Sequence, residues 1–208
     1  MNRKGILVVV SGFSGAGKGT IMKKLLEKYE NYALSISATT RKPREGEQDG
    51  IHYFFKNVPE FEQMIEEEAF IEYARYVDNY YGTPKAYVEE QLNSGKDVIL
   101  EIEIQGALNV KRQRPDTLLL FVTPPDTAEL ERRLTGRGTE TREQIQGRLR
   151  RAVEESQGME NYDYIVVNDE IDTCVERVHE IIQSQHQASI HQVDFIAKIQ
   201  EELKNREE

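Results

Sequence analysis

Apolar residues along this chain gather in five short stretches, separated by longer segments in which they recur at helical spacing. The stretches lie at residues 6–10, 33–36, 97–104, 117–123 and 163–168. The first is an unbroken apolar run, which is typical of a strand buried on both faces of a parallel sheet. After it, Ile21, Leu25 and Leu26 repeat with the period of a helix. This alternation predicts an α/β fold in which helices flank a parallel sheet.

Two polar segments interrupt the alternation. Residues 39–82 carry a polar loop, a short aromatic strand at 52–55, a small acidic helix near 60–68 and a tyrosine-rich turn. Residues 126–148 are rich in arginine and contain Gly136-Arg137-Gly138, which permits bending. We therefore predict a single domain over residues 1–208, divided into a core, a substrate arm and a lid. The core covers about 1–38, 83–125 and 149–208, the arm about 39–82 and the lid about 126–148.

The stretch from residue 171 to about 205 is helical in character. Val175, Val178 and Ile182 recur at helical spacing, and Val193 and Ile196 begin a second series of the same kind. The pattern predicts a helix docked on the sheet, followed by a solvated end. The alternative is a dedicated contact between copies of the chain, because amphipathic spacing alone fits both.

The first apolar stretch runs into a glycine-rich turn of the form GxxxxGK. Glycines let such a turn bend until its N–H groups converge on phosphate oxygens, and the following helix adds the positive end of its dipole. Lys18 supplies a point charge for the β- and γ-phosphates. The order strand, turn, helix predicts a site for a nucleotide polyphosphate, with the alternative that the turn only packs. The predicted phosphate-binding residues are Ser11, Gly12, Phe13, Ser14, Gly15, Ala16, Gly17, Lys18, Gly19 and Thr20.

The chain offers two candidates for a protein ligand to phosphate-bound Mg²⁺. Gly19 occupies the position at which a Ser or Thr hydroxyl ordinarily meets the ion, and Thr20 follows it. Either Thr20 takes over this role, or phosphates and water mainly hold the ion. Strict alternation over DVILEIEI at residues 97–104 would put Glu101 and Glu103 on one strand face, about 7 Å apart. Unpaired burial of both carboxylates would be costly, so we expect them to open into the nucleotide cleft. The alternative is a half-exposed edge strand.

Arginine is concentrated in two places. Arg41 and Arg44 flank Lys42-Pro43, and Tyr53 follows, so that this loop could clamp an isolated phosphate. Between residues 131 and 151 there are seven arginines and no lysine. Guanidinium forks bind phosphate in a bidentate manner, whereas a solvated helix face would mix in lysine. We expect several of the seven to be surface charges paired with Glu131, Glu143 and Glu154.

Composition excludes several classes of function. A net charge of −10 over 208 residues argues against nonspecific binding to nucleic acid or to anionic membranes. Cys174 is the only cysteine, which excludes an intrachain disulfide and a cysteine-based zinc site. The apolar run near the N-terminus is too short for a signal peptide or a membrane span, so we expect a cytoplasmic protein.

Taken together, these motifs resemble the guanylate kinases. The family signature is matched in the arm at Thr39, Thr40, Arg41, Arg44, Glu47, Gly50, Tyr53, Phe55 and Lys56. The GxxxxGK turn, YYGT at 80–83, LEIEIQG at 100–106, GRGTET at 136–141 and IVVND at 165–169 follow in family order. The resemblance covers about residues 4–182. It implies Mg²⁺-dependent transfer of the γ-phosphoryl group of ATP to GMP, which forms ADP and GDP.

The resemblance also implies roles for single residues. The glycine-rich turn would cradle the ATP phosphates, with Arg137 and Arg148 closing from the lid and with Arg133 and Asn168 near the adenine. The GMP phosphate would be held by Arg41, Arg44, Tyr53 and Tyr81, and the guanine by Ser37, Glu72, Thr83 and Glu103. The catalytic set would be Lys18, Arg41, Arg44, Arg137 and Arg148.

Three points in this assignment stay open. Many members of the family carry Asp where this chain has Glu101 and Glu103, and the longer side chain displaces each carboxylate. Glu72 could instead be a solvated carboxylate that continues the acidic run at 66–68. The chain could also be a peptide-binding module without catalysis, although such modules typically have damaged phosphate loops. We expect a monomer or a homodimer.

Overall fold

The computed structural model describes residues 4–76, 78–136 and 141–206. Within these ranges the core sheet has five strands, which are β1 (Leu7–Gly12), β2 (Tyr32–Leu34), β7 (Asp97–Glu101), β8 (Leu118–Thr123) and β9 (Tyr164–Val167). They lie in the order β2-β7-β1-β8-β9, and neighbouring strands pair in parallel. The predicted parallel α/β fold is therefore confirmed.

Four helices flank this sheet, namely α1 (Lys18–Lys28), α3 (Lys85–Asn93), α4 (Ile104–Gln113) and α7 (Ile171–Gln185). Strand β1 lies in the middle, and its alternate side chains enter two separate hydrophobic clusters. Val8 and Val10 pack with α1 and α7, whereas Leu7 and Val9 pack with α3 and α4. None of these four residues is more than 2 % exposed. This two-sided burial explains the unbroken apolar run.

A second, four-stranded sheet branches from the core. Its strands are β3 (Ala38–Thr39), β4 (Phe54–Phe55), β5 (Phe70–Tyr76) and β6 (Asn79–Pro84), in the order β4-β3-β6-β5. A hydrophobic cluster joins Ala38 and Phe70 to Phe61 of the adjacent helix α2 (Val58–Glu66). The predicted tyrosine-rich turn is wrong, because those residues form β6, where Tyr80 stacks on Phe61 and Thr83 pairs with Glu72.

The strand predicted for residues 97–104 is too long. Strand β7 ends at Glu101, opposite Val10, and α4 begins at Ile104 with Glu103 as its N-cap. Glu101 and Glu103 therefore do not share a strand face, although both are exposed. The edge-strand alternative is also wrong, because β7 lies between β2 and β1.

The remaining helices follow β8 and β9. The predicted lid contains α5 (Thr127–Thr135) and the start of α6 (Arg142–Ser156), on either side of residues 137–140, which lie outside the described residues. Helix α7 buries Val175, Val178 and Ile182 against the sheet, which confirms a docked C-terminal helix. Helix α8 (Val193–Lys204) follows it with no buried residue. Short 3-10 helices occur at Met159–Asn161 and Ser189–His191.

Across the described part of the chain, no helix combines the length and the apolar character that a bilayer crossing requires.

Candidate active site

The glycine-rich turn lies at the carboxyl end of β1, the edge of a parallel sheet at which ligands commonly bind. Gly12 and Gly17 have φ values of +147° and +91°, in the region that favours glycine. A Cβ atom at Gly12 would lie 2.0 Å from the carbonyl oxygen of Val122, and one at Gly17 would lie 2.5 Å from the side-chain nitrogen of Asn168. These two positions therefore require glycine for the turn to adopt this backbone conformation.

Lys18 begins α1 and reaches back over the turn. Its ammonium donates hydrogen bonds to the carbonyl oxygens of Gly12, at 2.7 Å, and Phe13, at 3.2 Å. The Phe13 ring packs edge-on against Phe121 with centroids 5.0 Å apart, which anchors the turn to the core. The Ser11 hydroxyl donates to the carbonyl oxygen of Ile102 at 2.7 Å. The ammonium is thus held at the mouth of the turn, where a phosphate would meet it.

A cavity of about 630 Å³ lies on one side of the turn, at the predicted adenine end. Arg133 donates from Nη2 to the carbonyl oxygen of Asn168 at 2.8 Å and from Nε to Glu129 at 2.7 Å. The buried Asn168 amide donates to the carbonyl oxygen of Ala16 at 2.8 Å, so this side chain braces the turn. Hydrogen bonds from Arg132 and Arg133 lower the pKa of Glu129 to about 2. The cavity is also lined by Gly15, Gly17 and Thr20.

The predicted phosphate clamp of the arm is partly assembled. Arg41 forms two hydrogen bonds with the carboxylate of Glu47, at 2.8 and 2.9 Å. Its guanidinium lies 5.2 Å from the centre of the Tyr53 ring, and Tyr53 packs edge-on against Tyr81. The bonds from Arg41 and from the backbone of Arg44 lower the pKa of Glu47 to about 2. The side chain of Arg44 is exposed.

Glu72 and Thr83 face each other across strands β5 and β6. The Thr83 hydroxyl donates to Oε1 of Glu72 at 2.8 Å, and Thr83 is fully buried. Burial raises the pKa of the Glu72 carboxyl above its usual value, against the opposing effect of that hydrogen bond. The solvated alternative for Glu72 is therefore wrong. Ser37, which precedes β3, is half-buried, and its carbonyl oxygen accepts from the Phe54 N–H at 2.9 Å.

A second cavity, of about 470 Å³, joins the turn to the end of β7 and to α6. Glu101 and Glu103 both line it together with Lys18, so these carboxylates open into a cavity beside the glycine-rich turn, and its use as a nucleotide cleft stays a prediction. From α6, Arg148 donates to the Ser14 hydroxyl at 2.7 Å. Residues predicted to bind phosphate, two carboxylates and a residue of the predicted lid therefore line one cavity.

The two candidate metal ligands lie in different cavities. Thr20 lines the adenine-side cavity, whereas Glu101 lines the one that contains Lys18. Among the described residues, no group of three or more His, Cys, Asp or Glu side chains could enclose a metal ion. A single exposed carboxylate suits Mg²⁺, which usually keeps several waters and binds substrate phosphates. Glu101 is thus the better placed of the two candidates.

Two residues at this site were missed by the sequence reasoning. Arg151 of α6 pairs with Glu103 at 2.5 Å and with Glu155 at 3.3 Å. The three- and seven-residue steps from Arg148 to Arg151 and Glu155 could have indicated that they share a helix face.

The arginines of α5 also differ from expectation. Arg132 and Arg133 both pair with Glu129, so they do not follow the predicted pairing with Glu131, Glu143 and Glu154. The i, i+3 and i, i+4 steps along the helix account for these pairs. Arg137 lies outside the described residues.

Comparison with known proteins gives one consistent answer. The family model described as guanylate kinase matches residues 4–185. The guanylate kinase of Latilactobacillus sakei subsp. sakei is 51 % identical over 187 residues, which cover 89 % of this chain and 92 % of the relative. That of Caldanaerobacter subterraneus subsp. tengcongensis is 49 % identical over 202 residues, covering 97 % and 98 % of the two chains.

A solved structure agrees with these relatives. The crystal structure of guanylate kinase from Anaplasma phagocytophilum superposes with a TM-score of 0.68 at 30 % identity, covering 90 % of this chain and 89 % of the other. Both the glycine-rich turn and the arginine-tyrosine arm fall inside the matched region of the family model. The chain belongs to the guanylate kinase family.

Proposed function

We propose that this chain transfers the γ-phosphoryl group of ATP to the phosphate of GMP, which yields ADP and GDP. The observation that carries the proposal is the cavity of about 470 Å³ in which Lys18 and Arg148 meet Glu103. Phosphate-binding groups and a candidate base-binding carboxylate border the same space, as an in-line transfer between two nucleotides requires. The membership of the guanylate kinase family supports the same reaction.

The acceptor phosphate is already an anionic nucleophile, so the reaction needs positioning and charge neutralisation more than a general base. We propose that Arg41, Arg44, Tyr53 and Tyr81 hold this phosphate. Glu47 occupies the fork of Arg41 in this structure. The phosphate would either displace that carboxylate or bind the guanidinium beside it, because a guanidinium has five N–H donors. Glu47 thus keeps the arginine oriented before GMP arrives.

On the donor side, we propose that the N–H groups of the glycine-rich turn and the ammonium of Lys18 bind the β- and γ-phosphates. Arg148 and Arg137 would neutralise the transferring group from the lid, which closes and excludes water. Arg133 and Asn168 would border the adenine. The hydrogen bond from Arg148 to Ser14 supports this assignment, because it brings a lid arginine to the phosphate-binding turn.

Mg²⁺ bound with ATP would neutralise phosphate charge and hold the β- and γ-phosphates in a reactive geometry. We propose Glu101 as the side chain that holds the hydrated ion, with Thr20 as the second candidate. Glu101 is exposed and lines the cavity that contains Lys18, which suits a hydrated ion.

A coupled assay for ADP release tests the proposal, with GMP, AMP, CMP and UMP supplied as separate acceptors. We expect turnover with GMP and kcat/KM values lower by several orders of magnitude with the other three. Comparable rates with GMP and AMP would refute the acceptor assignment. No ADP release with any acceptor would instead favour the peptide-binding module.

The position that lacks the usual hydroxyl gives a first prediction. A Cβ atom at Gly19 would meet nothing within 4 Å, so Gly19→Ser is sterically tolerated. Serine in the first turn of α1 should raise the free energy of unfolding by about 0.5 kcal/mol, because glycine is the poorer helix former. The added hydroxyl should also lower the Mg²⁺ concentration needed for half-maximal activity. Thermal melts and Mg²⁺ titrations check both effects, and an unchanged Mg²⁺ requirement would contradict the second.

Burial of Glu72 predicts that affinity for the guanine base depends on pH. Only the ionised carboxylate accepts two parallel donors, so affinity for the base should fall as pH drops through the pKa of Glu72. Because burial raises that pKa, the loss should begin above the ordinary value of 4.5. Guanosine is the suitable ligand, since it lacks the phosphate that titrates near pH ~6. Calorimetry from about pH 4.5 to about pH 7 measures the change, and a constant dissociation constant over this range would count against the role of Glu72.

The same raised pKa has a consequence for stability. A carboxyl whose folded pKa exceeds its unfolded value binds more protons in the native state. Its contribution to stability is therefore full below the unfolded pKa and is lost as pH rises through the folded pKa. Near neutral pH, the ionised Glu72 carboxylate opposes folding, which fits a side chain retained for binding.

A further inference from the structure

One face of α6 contacts both ends of the cavity that contains Lys18. Arg151 and Glu155 follow Arg148 by three and seven residues, so the three side chains share this face. Arg148 reaches the Ser14 hydroxyl, and Arg151 reaches the Glu103 carboxylate, each through one guanidinium nitrogen. We propose that Arg151 is a positioning residue of the acceptor site, which orients the carboxylate of Glu103 toward the guanine base. This inference rests on the proposed function.

Glu103 depends on a partner outside its own helix. It is the N-cap residue of α4, yet its side chain makes no capping hydrogen bond. Its Oε1 atom instead accepts from Nη2 of Arg151 at 2.5 Å. A carboxylate has two oxygens, so Oε2 stays available for an N–H donor of the base. Arg151 therefore selects which oxygen of Glu103 is presented to the cavity.

Arg151 is itself held by a second carboxylate. Its Nε atom lies 3.3 Å from Oε1 of Glu155, so one planar guanidinium bridges two acidic side chains. The side chain of Glu155 is only 20 % exposed, whereas that of Glu103 is 68 % exposed. The less exposed Glu155 thus holds the guanidinium of Arg151 in place, and that guanidinium orients the more exposed carboxylate of Glu103. An isolated exposed ion pair contributes little, but a bridged arginine loses less side-chain freedom when the ligand binds.

The charges that line the cavity also support a positioning role for Arg151. Three carboxylates, those of Glu101, Glu103 and Glu155, line a space that must admit phosphate groups. Both Glu103 and Glu155 pair with Arg151, and without it no guanidinium would separate the two carboxylates, whose like charges repel. Glu103 would then turn toward solvent. We therefore expect loss of Arg151 to weaken binding of the guanine and to leave the ATP site intact.

Calorimetry on the full chain tests this with Arg151→Ala, Arg151→Lys and the control Arg150→Ala. Arg150 is exposed and makes no ion pair within the described residues. We expect Arg151→Ala to raise the dissociation constant for GMP about five- to tenfold, the range of one ordinary hydrogen bond, because Glu103 would be displaced and not removed. Affinity for a non-hydrolysable ATP analogue should be unchanged. Arg151→Lys should fall between wild type and Arg151→Ala, because it keeps the charge and loses the fork.

A double-mutant cycle separates positioning from a general effect on α6. If Arg151 acts through Glu103, then Arg151→Ala should weaken GMP binding little further in a Glu103→Gln background. Additive effects, equal loss of ATP-analogue and GMP affinity, or identical values for Arg151→Ala and Arg150→Ala would each overturn the inference. Equal binding of GMP and AMP by the wild type would overturn the proposed function instead. Circular dichroism verifies that each variant is folded.

Discussion

Lys18→Ala is expected to lower kcat by about a thousandfold or more, with little change in the melting temperature. The ammonium would neutralise charge that develops on the transferring phosphoryl group, and the methyl group of alanine cannot replace it at the mouth of the turn. Its hydrogen bonds to the carbonyl oxygens of Gly12 and Phe13 are partly accessible to water, so their loss should cost little stability. Steady-state kinetics and thermal melts of the same preparation measure both effects.

The matched control is Lys23→Ala, on the same helix. The Lys23 side chain is 77 % exposed and pairs only loosely with Glu27, at 3.9 Å. This variant should retain wild-type turnover. A Lys18→Ala variant that kept a tenth of the wild-type kcat would show that the ammonium does not carry transition-state charge, and a large drop in melting temperature would give Lys18 a structural role.

Glu72→Gln should reduce kcat/KM for GMP relative to AMP by about 10²- to 10³-fold. Guanine presents two adjacent donors, N1–H and the N2 amino group, and a carboxylate accepts both in parallel. The amide of glutamine keeps one acceptor and turns a donor toward the second position, where no hydrogen bond can form. AMP has no N2 donor, so its weaker binding should change less. Initial rates with both acceptors at fixed ATP measure the ratio.

In the Glu72→Gln variant, thermal stability and affinity for ATP should respond differently from selectivity for the base. After Glu72→Gln, the Thr83 hydroxyl can still donate to the amide oxygen of the new side chain, and the cost of burying an ionised carboxylate disappears. The melting temperature at neutral pH should therefore rise, and affinity for ATP should be unchanged. Glu66→Gln at the end of α2 is the control, because Glu66 is exposed. An unchanged GMP/AMP ratio would transfer the selectivity role to Glu103, Ser37 or Thr83.

The arm shows why part of the fold escaped prediction. The local sequence of β6 is typical of a turn, because apolar and polar residues do not clearly alternate along its tyrosines and Gly82. It becomes a strand by pairing on one side with β5 and on the other with β3, which lies much earlier in the chain. A Cβ atom at Gly82 would lie 2.9 Å from the Phe70 ring, so close packing across the pair accounts for that glycine.

Sequence alone determined the parallel sheet and the phosphate-binding turn, because both depend on local signals. An unbroken apolar run needs burial on two faces, and a turn such as Gly12 to Lys18 needs glycine at defined steps. Tertiary structure decided where β7 stops, since Ile102 and Ile104 fit a strand and a helix equally well until pairing with β1 ends at Glu101. Tertiary structure also decided which carboxylates pair with the arginines. Arg151 meets Glu103 across 48 residues of chain, a contact set by where α6 lies relative to the start of α4.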